Sequence, residues 1–204
     1  MIVVAAFVAL AAYVLLVDMK RDPPTEQEPT PTPVPLLGLN IDDVQLLRIT
    51  SSVPDQGGLH TMQITHLQQE LEWHFSVPDA HSSTQEACLV SADGCLADPY
   101  VVHIAVDDLC HLAAQRILLE EPGDLGQYGL DPTALVIEMT TFTGSQEKIH
   151  IGKQTTDGMS YYVQRAGDPR LYLVAQYTLQ PFFDWLIEPP YQPTPMPTMT
   201  PEPG

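Results

Sequence analysis

The chain of 204 residues is long enough for one folded domain with appendages, and its formal net charge is −18 with only eight Lys and Arg residues. So few cations cannot neutralise a run of phosphates, which excludes nucleic acid as a partner. The acidity is spread along the chain. It is typical of a soluble surface, or of an acidic face that binds a partner or a cation.

The first element in the chain is an apolar run, Ile2–Val17, which contains no charged residue. A bilayer span needs about 20 apolar residues, with a lower limit near 17, so this run is slightly short. We expect a transmembrane signal anchor over residues 1–19 and a single-pass membrane protein, because Leu15, Leu16 and Val17 offer no small-residue cleavage site. A cleaved signal peptide and a buried N-terminal helix of the domain are the alternatives.

Two proline-rich segments, residues 20–35 and 189–204, hold 13 of the 20 prolines. We expect the first to be an extended linker that holds the domain away from the membrane, and the second to be a disordered tail. A ligand for a proline-reading domain is the alternative for the tail. Lys20 and Arg21 follow the apolar run, which by the positive-inside rule favours a cytoplasmic body, but two neighbouring acids weaken this signal. Charge alone therefore leaves the side of the membrane open.

The folded body is predicted over residues 36–188. Its first half contains three strand candidates, Val44–Ser51, His60–Leu67 and Leu71–Val77. The first is an apolar run that contains Arg48, and in the other two apolar and polar residues alternate. An irregular polar insert, Asp79–Ala97, follows. Asp98 before Pro99 is a good helix start, and apolar residues at helical spacing predict a helix from Pro99 to Leu119.

The second half is the best-specified part of the chain and predicts an antiparallel meander followed by a short helix, Leu179–Ile187, in which Pro181 suits the first turn. The four strand candidates are Ala134–Phe142, Glu147–Gly152, Ser160–Arg165 and Leu171–Ala175. Strands joined by tight turns indicate an α+β body, with an antiparallel sheet and helices on one of its faces. The order also suggests two similar halves, each with three strands and a helix, although no residue-level repeat supports a duplication.

A set of short motifs in this body resembles a bacterial family, the domain-of-unknown-function family numbered 4340. Its residues are Trp73-x-Phe75-x-x-Pro78, Tyr128-Gly129-Leu130-Asp131-Pro132, Ile149-x-Ile151-Gly152, Tyr161-Tyr162-Val163 and Leu171-Tyr172-Leu173-Val174. The resemblance implies a membrane-anchored body outside the cytoplasmic membrane and, for some members, a link to gliding-motility or ABC-type export systems. It implies no catalytic residue.

These motif residues also have structural explanations. Gly129 is expected to adopt a positive φ before Leu130 enters the core. Asp131-Pro132 is typical of a turn that leads into a strand. Gly152 is expected where a side chain would obstruct a turn, and Tyr161 and Tyr162 are expected to alternate across the sheet.

The cysteines and histidines are the other candidates for chemistry. Cys88 and Cys95 flank the turn pair Asp93-Gly94, so a disulfide-closed hairpin is one possible arrangement. Cys110 is predicted to be a buried, small apolar residue of the helix rather than a nucleophile. The histidines are expected to be exposed, and because no close Cys or His pair is present we predict no metal site.

We predict no catalysis and no cofactor, because the sequence contains no nucleophile elbow and no phosphate-binding glycine loop. The tyrosines and Thr140, Thr141 and Thr143 on the sheet suit contact with another protein, and an edge strand could accept a partner strand. The predicted function is a membrane-tethered protein-binding module, with a transporter component as a candidate partner. A metal-dependent or hydrolytic enzyme built on the Cys/His insert and a structural envelope spacer are the alternatives.

Overall fold

The computed structural model of the protein describes residues 32–51, 61–67, 72–76, 90–91 and 94–192. The chain divides into two compact units, Met1–Thr32 and Pro33–Gly204, and the elements below belong to the second. The predicted anchor and the greater part of the linker and tail lie outside the described residues. Within those described ranges, no helix is both long and apolar enough to cross a bilayer.

The described chain contains short strands and two helices in an α+β arrangement. The strands are β1 (Val34–Pro35), β2 (Val44–Ser51), β3 (Thr61–His66), β4 (Trp73–Ser76), β5 (Val90–Ser91), β6 (Gly94–Leu96), β7 (Ala113–Ala114), β8 (Arg116–Leu119), β9 (Leu135–Thr141), β10 (Gln146–Gln154), β11 (Ser160–Arg165) and β12 (Leu171–Ala175). The helices are α1 (Pro99–Cys110) and α2 (Gln176–Ile187), and 3₁₀ turns occur at Ile41–Asp43 and Gly126–Tyr128.

Ten strands form one antiparallel sheet in the order β5-β6-β4-β3-β2-β9-β10-β11-β12-β8, and β1 pairs with β7 in a separate small sheet. Two meanders meet at the centre of the large sheet, where β2 pairs with β9 and Arg48 lies opposite Glu138. Each meander is followed by a helix of 12 residues. The α+β prediction is therefore confirmed, whereas a duplication as the origin of the two halves stays a prediction.

The core lies between one face of the sheet and the two helices. Alternation along β9 shows the principle, because Leu135, Ile137 and Met139 are fully buried while the residues between them are half-buried. The helices contribute a second set of buried residues, namely Val102, Ala105, Val106, Leu109, Leu179, Phe182, Trp185 and Leu186. We call the side of the sheet that faces the helices the core face and the opposite side the outer face.

The first helix begins as predicted but ends early. Asp98 caps it, since its Oδ1 atom accepts hydrogen bonds from the backbone N–H groups of Tyr100 and Val101 at 3.0 and 3.1 Å. The predicted continuation to Leu119 is wrong. The segment beyond Cys110 leaves the helix and forms β7, which pairs with β1, and β8, which pairs with β12 at the edge of the large sheet. The apolar spacing of Ala113 and Ile117 fits either structure, and tertiary pairing decides between them.

Other element bounds also differ from the predicted ones. Helix α2 starts at Gln176, so Pro181 lies inside it rather than in its first turn. The predicted irregular insert contains the β5–β6 hairpin, which pairs with β4. The ordered body also extends into both proline-rich segments, because β1 lies in the first and Tyr191 in the second forms a bridge with Ala97.

Candidate protein-binding surface

The outer face of the sheet is covered unevenly by the described part of the chain. A loop between β8 and β9, residues 120–134, lies over β10 and β11. Four of the buried hydrophobic residues do not belong to the main core cluster: Leu130, Leu171, Leu173 and Ala175. Since alternate residues of a strand point to opposite faces, Leu171 and Leu173 lie on the outer side of β12. This half of the outer face is therefore occupied by the protein itself.

The Tyr128–Pro132 motif forms the centre of that covering loop. Gly129 has a φ of 69°, the left-handed conformation expected of it, and its backbone lies so close to β10 that an added Cβ would be 2.8 Å from the Lys153 nitrogen. The Tyr128 carbonyl oxygen sits where a Cβ of Gly152 would be. The Tyr128 and Tyr162 rings pack with centroids 5.0 Å apart. These residues hold the loop against the sheet.

Gly152 thus has a different role from the one expected. The sequence suggested that it ends a strand at a turn, but it lies inside β10, where the pairing with β11 shifts its register between Ile151 and Gln154. The obstruction that excludes a side chain is the covering loop, whose Tyr128 lies 24 residues earlier in the chain. Tyr161 and Tyr162 do alternate: Tyr161 stacks on Phe183 of α2, with centroids 4.9 Å apart, and Tyr162 faces the loop.

The other half of the outer face, formed by β3, β2, β9 and the start of β10, presents an exposed row of charges. Lys148 Nζ donates a hydrogen bond to Glu138 Oε1 at 2.7 Å, and Arg48 NH1 lies 3.6 Å from Glu138 Oε2. The hydrogen bond from Lys148 lowers the pKa of Glu138, so this carboxylate is ionised. The side chains of Arg48, Glu138 and Lys148 are 44%, 35% and 41% exposed.

This open half contains a shallow hollow of about 390 Å³. Its lining residues are Leu46, Arg48, Glu138, Met139, Thr140, Gln146, Glu147 and Lys148. Two cations and two carboxylates line the hollow, so its charges balance in an otherwise strongly acidic protein. Apolar stems, threonines and fixed charges together suit a contact with another protein.

A second, larger hollow of about 700 Å³ opens at the turn between β11 and β12. Asp168 dominates it: its carboxylate accepts hydrogen bonds from Arg170 NH2 at 2.7 Å and from the Tyr172 hydroxyl at 2.6 Å. Arg165 is paired with Glu147 in the same way, at 2.7 Å. Since both arginines already have carboxylate partners, the hollow offers no unpaired cation for an anionic ligand, and we interpret it as a turn fixed by ion pairs.

Burial and hydrogen bonds shift the pKa values of three groups on this surface. Burial and the hydrogen bond to Asp168 raise the pKa of Tyr172 to about 12, while the bonds from Arg170 and Tyr172 hold the pKa of Asp168 below its usual range. On the outer face, burial, reinforced by the charge of Lys148, lowers the pKa of His150. Its Nδ1 lies 3.4 Å from the Thr133 hydroxyl of the covering loop.

The structure does not gather the predicted chemical residues into one site. Cys95 is buried on β6 and takes part in a disulfide, but Cys88 lies outside the described residues, so their pairing stays a prediction. Cys110 is a free thiol buried in the core, and burial raises its pKa to about 11. In the described ranges, no three Cys, His, Asp or Glu residues are placed to hold a metal ion.

The expectation that the histidines are exposed is wrong for His74. It is only 3% exposed, although its neighbours in β4 show that its side chain points away from the core face. His66 is half-buried and stacks on Trp73, with ring centroids 4.4 Å apart. His103 on α1 and His111, which directly follows the helix, are exposed as expected.

The threonines that suggested a protein contact have different environments. Thr140 is half-buried on the open outer face, where Leu46 lies opposite it. Thr141 is buried and bonds within its own turn, at 2.8 Å from the Thr143 hydroxyl. The sequence interpretation missed the Arg48–Glu138–Lys148 row, although each of these residues sits at a polar position of an alternating strand. The sequence alone does not show which strands pair, so it could not show that these three residues are neighbours.

The fold and its surfaces define an α+β domain built on one antiparallel sheet. The chain belongs to the family described as "Domain of unknown function (DUF4340)", whose sequence model matches residues 89–193. The resemblance drawn from the motifs is therefore confirmed. The motif residues from Tyr128 to Tyr162 lie inside the matched segment, and Trp73 lies before it. No curated protein and no solved structure matches the chain.

Proposed function

We propose that this protein is a membrane-tethered, extracytoplasmic module that binds another protein through the open half of its outer sheet face. The observation that carries the proposal is the uneven cover of that face. One half is closed by the chain's own loop, while the other presents Arg48, Glu138 and Lys148 beside a hollow of about 390 Å³. A sheet face with this mixture of apolar stems and charges is suited to a protein partner.

The tether in this proposal rests on the sequence. The apolar run Ile2–Val17 serves as a signal anchor that crosses the membrane once, and the proline-rich segment that follows spaces the domain from the bilayer. An integral membrane protein, such as a component of an ABC-type transporter, is then the natural partner, because the anchor keeps both proteins in the same bilayer. The family membership is compatible with this placement and assigns no reaction.

Co-purification tests the proposal. The tagged full-length chain is extracted from its native membrane in mild detergent after light crosslinking, and its companions are identified. We expect a reproducible membrane partner that is lost when the domain is deleted and the anchor is kept. A chain that returns alone, under conditions in which a known complex survives, would contradict the proposal.

Substitutions locate the contact. Thr140→Lys places a long cation in the hollow of the open face, and Thr156→Lys makes the same change in an exposed turn. We expect the first to reduce recovery of the partner and the second to leave it unchanged. A purely structural spacer predicts that neither variant has an effect, so equal recovery from both would favour the spacer.

A further inference from the structure

The two helices differ from the sheet in the charges that they carry. Neither helix contains Lys or Arg, and the six Lys and Arg residues of the described body lie on strands β2, β8, β10 and β11 or just before β12. The charged residues of the helices and of the segments that flank them are acids. These are Asp98, Asp107, Asp108, Asp184 and Glu188, together with Asp42 and Asp43 of the 3₁₀ turn beside α1. The surface that the helices themselves form is therefore anionic.

The solvent side of α1 also exposes large apolar residues. Tyr100, Val101 and Ile104 are 74%, 41% and 44% exposed, and all three lie in the first half of the helix. The chain that follows α2 meets the same end of α1, since the Asp98 backbone N–H donates to the Pro190 carbonyl at 2.7 Å. Three residues earlier, Ile187 is 70% exposed. An apolar area is thus followed along α1 by Asp107 and Asp108.

The acids at the end of α1 are not placed for helix stability. The C-terminal end of a helix carries partial negative charge, which favours cations there and disfavours carboxylates. The last turn of α1 nevertheless contains Asp107 and Asp108 and no basic residue. Exposed β-branched residues such as Val101 and Ile104 are likewise poor choices for an isolated helix surface. Residues that disfavour the local structure in which they lie are typical of functional sites, and both features of α1 are of this kind.

We propose that the exposed side of α1 is a docking surface for a basic amphipathic segment of a partner protein. The aliphatic side chains of this segment would pack on Tyr100, Val101 and Ile104, and its Lys or Arg residues would meet Asp107 and Asp108. Charge complementarity selects this occupant. A second copy of the chain that docked symmetrically through the same surface would bring the same acids against each other, and an anionic lipid surface would be repelled in the same way.

This surface lies on the opposite side of the sheet from the open outer face, so it can be tested separately from the function proposed above. The photoreactive residue p-benzoylphenylalanine is introduced at Ile104 in the full-length chain, in its native membrane, and crosslinked peptides are identified by mass spectrometry. The same probe at Tyr177, which is 77% exposed on α2, is the matched control. We expect the Ile104 probe to capture a segment rich in Lys and Arg.

Charge reversal provides the decisive comparison. Asp107→Lys with Asp108→Lys should lower the crosslinking yield about tenfold, the lower end of the range for electrostatic steering. Glu120→Lys with Glu121→Lys changes the net charge equally in an exposed loop and should leave the yield unchanged. The milder pair Asp107→Asn and Asp108→Asn should give an intermediate yield, and unchanged near-ultraviolet circular dichroism would show that each variant is folded.

Several outcomes would overturn the proposal. Crosslinks to lipid would assign the surface to the membrane, and crosslinks to a second copy of the chain would assign it to self-association. Three results would each contradict a basic partner. They are the capture of an acidic or uncharged segment, a crosslinking yield that the charge reversal leaves unchanged, and no crosslink above the level of the Tyr177 control. Loss of partner recovery from Thr140→Lys with an unchanged Ile104 crosslink would show that the outer face and α1 bind independently, so the two proposals can fail separately.

Discussion

Replacement of Gly152 by alanine tests how the covering loop is held on the sheet. An added Cβ would lie closer than 3.0 Å to the Tyr128 carbonyl oxygen and at 3.2 Å from both the carbonyl carbon and oxygen of Gly129. These are backbone atoms, which cannot rotate away as the end of a side chain can. Overpacking of a core typically costs about 1–3 kcal/mol, and we expect Gly152→Ala to reach the upper part of that range, roughly 3 kcal/mol.

The assay is urea unfolding of the full-length chain in mild detergent, followed by the fluorescence of Trp73 and Trp185, which are both buried. Gly123→Ala is the matched control in the same loop, because an added Cβ there meets nothing within 4 Å. Where the backbone conformation suits alanine, a change from glycine to alanine stabilises a protein by about 0.4–1 kcal/mol, because it lowers the conformational entropy of the unfolded chain. A Gly152→Ala variant whose free energy of unfolding lies within about 0.5 kcal/mol of the wild-type value would refute the claim that the covering loop excludes a side chain at this position.

Three further predictions concern single side chains. Native Cys110 should resist alkylation by iodoacetamide and react once the chain is denatured, because the buried thiol has a pKa of about 11; rapid labelling of the folded chain would contradict this. Tyr172→Phe removes the hydroxyl that donates to Asp168 and should cost about 1–2 kcal/mol at neutral pH. Because the raised pKa of Tyr172 means that the unfolded chain loses this proton first, the wild type should lose stability as the pH rises from 10 to about 12, and the variant should lose less. The lowered pKa of His150 means that the unfolded chain binds the proton first, so stability should fall as the pH falls below 6.5; His150→Gln should reduce this slope in urea titrations, and an unchanged slope would contradict this.

Much of the fold could be predicted because its strands are short runs with local signals. The bounds of Val44–Ser51, Ser160–Arg165 and Leu171–Ala175 agree with the structure, since each run is rich in aliphatic or aromatic residues and is bounded by turn residues. The start of α1 could also be predicted, because Asp98 caps the helix and Pro99 lies in its first turn. These features depend on residues that are neighbours in sequence.

The features that could not be predicted depend on distant partners. The residues after Cys110 keep an apolar spacing that suits a helix, and only the free edge of β12 makes β8 a strand. Gly152 lacks a side chain because of Tyr128, and the charge row forms because β2, β9 and β10 place Arg48, Glu138 and Lys148 side by side. Strand order therefore carries the information that a single sequence does not show, and the candidate surface consists largely of such features.

The last turn of α1 shows where stability and the proposed binding diverge. Replacing Asp107 and Asp108 by lysine places cations at the negative end of the helix, which should stabilise by about 0.3–1 kcal/mol for each favourable charge. The same variant should lose the crosslink to a basic segment. A more stable protein that binds less well would mean that these acids serve the partner rather than the fold. If thermal unfolding instead shows a loss of stability, the acids support the domain itself, for example through the Asp107–His111 pair at 3.4 Å, and the argument from an unfavourable helix end fails.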